Sequence, residues 1–354
     1  MFLALKEVGQ SKIRYTLISL IMIAILFLVF FITGLANGLS FADSSSLQNL
    51  KTDYIVTNEE ADGAVINSTL SEDQLKTIEE QLNQQSTPFS LTISAVEDKQ
   101  GKEVNVAYFS VDTEKYSDIE IIEGKNISEL TGNEVIINEN IKNHGYELND
   151  IIVDKISDTP MKIAGFSKNQ TYTFLPVIYA DFDLGMSNIY GDEPSYNAVL
   201  YTGEKVDISG FDTLTKNEAV KSIPGYTETQ GSLMMMVVFL FIISAFVSTV
   251  FFFIITIQKL NQFGILKAVG ADTKYIAKSI FIQVILLTTI GLSLSGLAIY
   301  GITQLLPGEM PFKISPTLML GTAGLFLVLN LLGSLLSVYK VAKIDALEAI
   351  GRVE

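Results

Sequence analysis

The sequence predicts an α-helical membrane protein with four transmembrane helices and a mixed α+β extracytoplasmic domain inserted between the first and second helices. Three observations carry that prediction. Four long apolar runs cover residues 15–39, 232–257, 279–305 and 317–339, and each exceeds the roughly 20 residues a helix needs to cross about 30 Å of hydrocarbon. Lipid offers backbone amides no partner, so runs of this length are satisfied only as helices. Residues 40–231 between the first two runs are mostly polar and strongly acidic, with 33 Asp and Glu against 13 Lys and no Arg, a net of −20. The rest of the chain holds 11 basic and 6 acidic residues, a net of +5.

The position of the positive charges predicts which side the domain occupies. Lys6, Lys12 and Arg14 precede the first run. Lys259, Lys267, Lys274 and Lys278 fill the loop after the second, and Lys340, Lys343 and Arg352 follow the fourth; Lys313 alone lies in the loop after the third. The positive-inside rule therefore expects a multi-pass protein of the cell membrane with both termini and the 258–278 loop cytoplasmic and the acidic domain outside. Four spans agree with both termini on one side. The domains expected are 1–39, with an N-terminal cytoplasmic helix and the first span; 40–231, the extracytoplasmic domain; and 232–354, three spans with the 258–278 loop and a cytoplasmic tail. The apolar stretch 17–32 is slightly longer than the 7–15 residues usual in a secretion signal, so it reads as an uncleaved signal-anchor. Without Cys, the outer domain must fold on its own core. Without Trp, an interfacial belt falls to residues such as Tyr15, Phe41, Tyr226, Tyr300 and Phe312.

Within the inserted domain, residues 71–84 read as a helix capped by Ser71, with Gln74 completing a capping box. Residues 90–96 and 103–111 form a hairpin about the turn at Lys99–Lys102. Residues 133–138, a short helix to His144-Gly145, then 151–155 and 161–166 suggest a strand–helix–strand series. Residues 175–180 and 198–201 are further strands, and 212–223 reads as the return helix, ended by Pro224-Gly225.

Enzyme chemistry finds few candidates. A single histidine, His144, and no Cys exclude a multi-His or His/Cys metal site within one chain. A solvated acidic face accounts for the carboxylates without a catalytic pair. Gly101-Lys102 and Gly124-Lys125 lack the remainder of a Walker A loop. The chain is thus expected to be non-catalytic, with no intrinsic cofactor and no nucleic-acid partner.

The most specific stretch is Gln258-Lys259-Leu260-Asn261-Gln262-Phe263-Gly264-Ile265-Leu266-Lys267-Ala268-Val269-Gly270-Ala271. Phe263, Ile265, Leu266 and Val269 fall at spacings that line one side of a short helix. Gly264 allows close backbone approach, and Gly270 suits a left-handed helix end. Such a helix either docks into a partner's groove or lies on lipid, and spacing alone leaves both open. The stretch resembles the loop after the second span in FtsX/MacB-like permeases of ABC transporters. Residues 3–15 resemble that family's N-terminal elbow helix, and residues 342–350 its C-terminal signature. The resemblance covers essentially the whole chain and departs at Gln262, where the family usually has Glu. It implies a homodimer served by a cytoplasmic ABC ATPase that holds the ATP and Mg. It also implies that Gln262, Phe263, Gly264, Ile265, Leu266, Lys267 and Gly270 couple to that ATPase.

The spans carry no charged residue, only Gln283 and Asn330 in their interiors, Asn37 and Gln304 near their ends, and hydroxyls, which argues against an ion pathway. Gly34 and Gly38, Gly291 and Ser295, and Gly321, Gly324 and Gly333 suggest helix contacts. The spans therefore read as levers in mechanotransmission. The stretches 235–241, 255–259, Met310-Pro311-Phe312 and 348–351 resemble permeases of haem-regulated transporters in Gram-positive bacteria, which implies haem efflux from the membrane, with haem as transported ligand and lipid as its surroundings. Aromatic and Met residues can face a porphyrin, and Tyr or Met can approach its iron; the candidates are Phe41, Tyr172, Tyr226, Met234, Met235 and Met236. Two other functions fit the scaffold: export or sensing of an antimicrobial peptide drawn by the acidic domain, and regulation of an extracellular cell-wall hydrolase.

Overall fold

The apolar runs fold as four long helices in the computed structural model, which describes residues 12–82, 85–113, 119–142, 144–184, 196–306 and 310–343. The expected elbow helix and C-terminal signature lie largely outside these residues. The chain divides into a unit of residues 1–38 and 232–354 and a unit of residues 39–231.

The span helices are Lys12–Asn49, Tyr226–Gln258, Thr273–Thr303 and Pro316–Ala342, all long and apolar enough to cross a membrane. In the first, Tyr15, Ile18, Met22, Leu26 and Val29 are buried, a three-and-four spacing that makes one face. They join Phe241, Phe252, Ile276, Ile280, Val284, Leu287 and Phe326 in a common core. The buried faces of the other spans carry small polar groups: Ser244 and Ser248, Thr288 and Ser295, Asn330, Ser334 and Ser337. Asn330 Nδ2 donates to Thr288 Oγ1 at 3.1 Å, and Ser295 Oγ reaches Ile23 O at 3.0 Å.

The small residues have distinct roles. A Cβ on Gly291 would lie 2.8 Å from Leu26, and one on Gly333 would lie 1.9 Å from Thr249 Oγ1, so both admit another helix. Gly34 and Gly38 admit a loop instead. A Cβ on Gly38 would lie 2.1 Å from Pro311 O, and one on Gly34 would meet the Phe312 ring at 2.5 Å. Lys313 N–H donates to Gly34 O at 3.1 Å, and Asn37 Nδ2 to Lys313 O at 2.9 Å. Gly321 and Gly324 face open space, contrary to the expectation that they mark contacts.

Among the described residues the inserted unit holds eleven strands: β1 Tyr54–Asn58, β2 Ser86–Glu97, β3 Glu103–Val111, β4 Ile121–Gly124, β5 Glu134–Asn138, β6 Ile151–Val153, β7 Pro160–Ser167, β8 Thr171–Tyr172, β9 Leu175–Asp181, β10 Ala198–Tyr201 and β11 Phe211–Thr215. The main order is β11-β1-β10-β2-β3-β9-β5-β7-β4, with β6 on β7 and β8 on β9. The β3–β9 and β5–β7 pairs are parallel. Both faces of the central strands are covered, because alternate side chains enter different cores: Ala107, Phe109, Val177, Tyr179 and Ile136 lie in one, and Val106, Tyr108, Ile178, Val135 and Ile137 in the other.

The capping box at Ser71 forms as expected, with Ser71 N–H donating to Gln74 Oε1 at 2.9 Å and Gln74 N–H to Ser71 Oγ at 3.3 Å. The hairpin turn closes through Asp98, whose buried carboxylate accepts the Gln100 and Lys102 amides at 2.8 Å. The Lys102 bond holds that carboxyl below the usual range, outweighing desolvation. His144 Nδ1 lies 3.5 Å from Asp98 Oδ2, a structural setting for the lone histidine. The expected return helix over 212–223 is corrected. Residues 211–215 form β11 against β1, pairing Leu214 with Ile55. The helix covers only Lys216–Lys221 and starts at a capping box between Thr215 and Glu218.

Candidate functional site

Residues 260–268 form the short helix expected after the second span, Leu260–Ala268. Its end is a Schellman motif. Ala271 N–H donates to Leu266 O at 2.9 Å and Gly270 N–H to Lys267 O at 3.0 Å, while Gly270 adopts φ of 100°. These bonds satisfy carbonyls that a helix end otherwise leaves open. The next helix starts at once, with Asp272 accepting the Lys274 amide.

The four apolar residues of this helix divide between two faces rather than lining one. Phe263 is 1% exposed and packs with Ile255, Ile276 and Val341, and Leu266 lies against the same core. Ile265 is 50% exposed and Val269 84%. At 100° per residue, Phe263 and Ile265 point nearly opposite ways. Gly264 is buried, and Gln262 and Gly270 are exposed. The outward surface thus carries Gln262, Ile265 and Val269, and the inward surface keys the helix into the span ends.

Two lysines strengthen that attachment. Lys267 Nζ donates to Val341 O at 2.9 Å and Ala342 O at 3.1 Å, joining a cation to the last carbonyls of the fourth span. Lys259 is buried, with Nζ donating to Tyr15 Oη at 2.5 Å, and Tyr15 Oη in turn lies 3.5 Å from Gln283 Oε1. The short helix is therefore tied to the first, third and fourth spans by side-chain contacts and to the second by a one-residue link. Sequence spacing alone gives no sign of the Lys267 clip, which depends on where the fourth span ends.

The candidate ligand residues have different environments. Tyr172 is 1% exposed and packs edge-on to Phe109 at 5.9 Å, within the inserted domain's core rather than at a surface. Burial, followed by the nearby Asp43 charge, pushes its phenol well above the usual range. The reason is the β8–β9 hairpin. Its tip, Thr173 and Phe174, has φ of 47° and 65° and donates N–H groups to Asp43 O and Ala42 O at 2.8 and 3.2 Å. Ser45 Oγ accepts the Thr171 amide at 2.9 Å. The loop is thereby fixed to the last turns of the first span helix, and Tyr172 turns inward while Phe174 is 48% exposed.

Phe41 and Tyr226 are half-buried. Tyr226 Oη lies 3.3 Å from Ser40 Oγ, which joins the outer turns of the first and second span helices beside Phe41. Met234, Met235 and Met236, about two turns along from Tyr226 in the same helix, are 65%, 57% and 42% exposed. Among the described residues no His/Asp/Glu cluster suits a metal ion.

Residues 234–346 match the family described as FtsX-like permease C-terminal. Two Staphylococcus proteins that carry the name hemin transport system permease protein HrtB are similar over essentially their whole length. The one from Staphylococcus epidermidis ATCC 12228 is 31% identical, covering 99% of both chains, and the one from Staphylococcus haemolyticus JCSC1435 is 28% identical, covering 100% of both. Among solved structures, the periplasmic region of MacB from Actinobacillus actinomycetemcomitans aligns at 11% identity with a TM-score of 0.37, covering 48% of this chain and 92% of that one. With four membrane-spanning helices, an α/β domain between the first two and full-length similarity to named permeases, this multi-pass chain belongs to the FtsX-like permease family of ABC-type transporters.

Proposed function

We propose that the chain is the non-catalytic membrane subunit of an ABC exporter that removes haem from the cell membrane. In this reading it works as a homodimer with a separate cytoplasmic ATPase, with both termini cytoplasmic and the acidic domain outside. The observation that carries the mechanism is the two-sided helix Leu260–Ala268. Its outward residues Gln262, Ile265 and Val269 offer an apolar docking surface to the ATPase. Its inward residues Phe263, Leu266 and Lys267 pass displacement to the span ends. A helix free of its spans would absorb the ATPase's motion; one clipped to them transmits it. ATP and Mg belong to the partner, because the chain carries no Walker A loop.

Haem as cargo rests on the similarity to the hemin transport system permeases and on the chemistry near the outer ends of the first two spans. Phe41, Tyr226 and the exposed Met234–Met236 supply aromatic and thioether groups suited to a porphyrin.

The test reconstitutes the permease with its ATPase in lipid and measures ATP turnover against added haem, alongside the haem sensitivity of a deletion strain. Expected are haem-stimulated turnover and a haem-sensitive strain. Turnover indifferent to haem, with a deletion strain as tolerant as the wild type, removes haem as the cargo. A pull-down that instead returns a cell-wall hydrolase favours the regulatory role.

A further inference from the structure

A cavity of about 320 Å³ in the inserted domain gathers a chemistry that its acidic surroundings otherwise lack. It is lined by Gln48 in the first span helix, by Lys216, Asn217, Val220 and Lys221 on or beside the short helix after β11, and by Tyr226 at the start of the second span helix. The lining thus holds two lysines, two carboxamides and a tyrosine with no carboxylate, although the domain as a whole carries a net of −20.

Several of these groups are held in position. Lys216 Nζ donates to Leu50 O at 2.9 Å, and Leu50 is fully buried in the core. An ammonium has three donors, so this bond fixes the cation without exhausting it. Gln48 Nε2 donates to Ser44 Oγ at 2.7 Å, and Tyr226 is braced by Ser40. Val220, 5% exposed, gives the cavity an apolar wall.

Two lysines beside an apolar wall favour an anionic oxygen group joined to an apolar body. At about 320 Å³ the cavity is at the small end of ligand pockets and suits a head group rather than a whole tetrapyrrole. Its position along the chain agrees: on the same two helices, Gln48 lies nine residues past the apolar run that ends at 39 and Tyr226 six residues before the one that starts at 232, about 14 and 9 Å of helix. We propose that this pocket receives the anionic group of a membrane-partitioned amphiphile, and that, resting on the haem-efflux reading, the group is a haem carboxylate. A lipid phosphate shares the same chemistry, and the experiment separates the two.

The full chain is placed in nanodiscs of zwitterionic lipid and titrated by absorbance with ferric haem and with its dimethyl ester, which lacks both charges. The variants are K216Q/K221Q and K221E, the latter leaving the Lys216–Leu50 bond in place should the double variant fold poorly. The wild type is expected to prefer the free acid at least tenfold, and each folded variant to bind both forms within about threefold, with ester affinity unchanged. Equal affinity of the wild type for both forms, or a preference that survives in K221E, overturns the pocket assignment and leaves the haem reading intact. If the wild type binds neither form, the haem reading fails and takes the carboxylate with it. In nanodiscs containing phosphatidylglycerol, loss of the acid preference in the wild type assigns the pocket to lipid phosphate and overturns the carboxylate.

Discussion

Single residues separate fold stability from ligand handling. Glu134 is buried, and its carboxylate accepts Lys125 Nζ at 2.5 Å and the Thr131 amide and hydroxyl at 3.2 and 3.1 Å. Lys125 first, and Thr131 after it, hold its pKa down to about 2 against an ordinary 4.5. A depressed folded-state value stabilises fully above the unfolded pKa and loses that contribution as pH falls through the folded one. Glu134→Gln should therefore cost about 1–3 kcal/mol near neutral pH, and the difference between the two proteins should shrink between pH 4.5 and about 2. Urea unfolding at a series of pH values checks this, and a constant difference across the range contradicts it. A second pair of substitutions contrasts Tyr172 with Met235. Tyr172→Ala removes a core aromatic and should cost about 3–5 kcal/mol, lowering thermal stability before it touches binding. Met235→Ala, at a position 57% exposed, should leave the melting temperature within a degree or two while weakening haem binding several-fold. A large drop in melting temperature for Met235→Ala would count against a ligand role for that side chain.

Among the elements, the helix Leu260–Ala268 is both the most legible in the sequence and the one whose inner workings were hidden. Gly270 announces its end, because a left-handed residue after an apolar helix is a local rule. Which apolar residues face outward is not local: it depends on Ile276 and Val341, which are distant in sequence and claim Phe263. The same division holds in the inserted domain. The hairpin β2–β3 and the Ser71 helix were legible because a turn or a cap lies within a few residues. The strand β11 was not, because Asp212 and Thr213 carry no apolar run and become a strand only by pairing with Asn58–Tyr54 across some 150 residues; the Thr215–Glu218 capping box was the local sign that the helix begins later. Tyr172 likewise reads from the sequence as a ligand candidate, since nothing nearby shows the bonds that tie Thr173 and Phe174 to the first span helix. The two faces of the short helix predict two separable defects. Ile265→Asp or Val269→Asp should abolish ATPase association in co-purification while leaving the permease folded. Lys267→Ala should leave association within about twofold, yet lower haem-stimulated ATP turnover several-fold, because the clip to Val341 and Ala342 is lost. Equal loss of association in all three variants would mean that the helix does not divide its work.

At the scale of the whole chain, the membrane unit reverses the usual arrangement of a water-soluble bundle. Its exposed faces carry Phe239, Ile242, Ile243, Phe246, Leu332 and Leu336, while Ser, Thr, Asn and Gly fill much of the buried faces. Lipid is as apolar as leucine, so burying leucine gains little there, and association depends on close approach and polar contacts. The size of a side chain at an interface then matters more than its hydrophobicity, and helices joined by small residues can shift without stripping a large apolar seam. This suits spans that relay motion. It also predicts that two glycines in one membrane unit respond in opposite ways to the same substitution. Gly38→Leu has no room, since even a Cβ would lie 2.1 Å from Pro311 O, which is backbone; overpacking of this kind costs about 1–3 kcal/mol and should displace the loop that Asn37 and Gly34 hold through Lys313. Gly321→Leu faces open space and adds a side chain to an exposed helix face. Thermal unfolding in detergent should fall by several degrees for Gly38→Leu and stay level or rise for Gly321→Leu, with haem export lost only in the first. If both glycines tolerate leucine alike, close approach at the Gly34–Gly38 face is not what holds the first span to its neighbours.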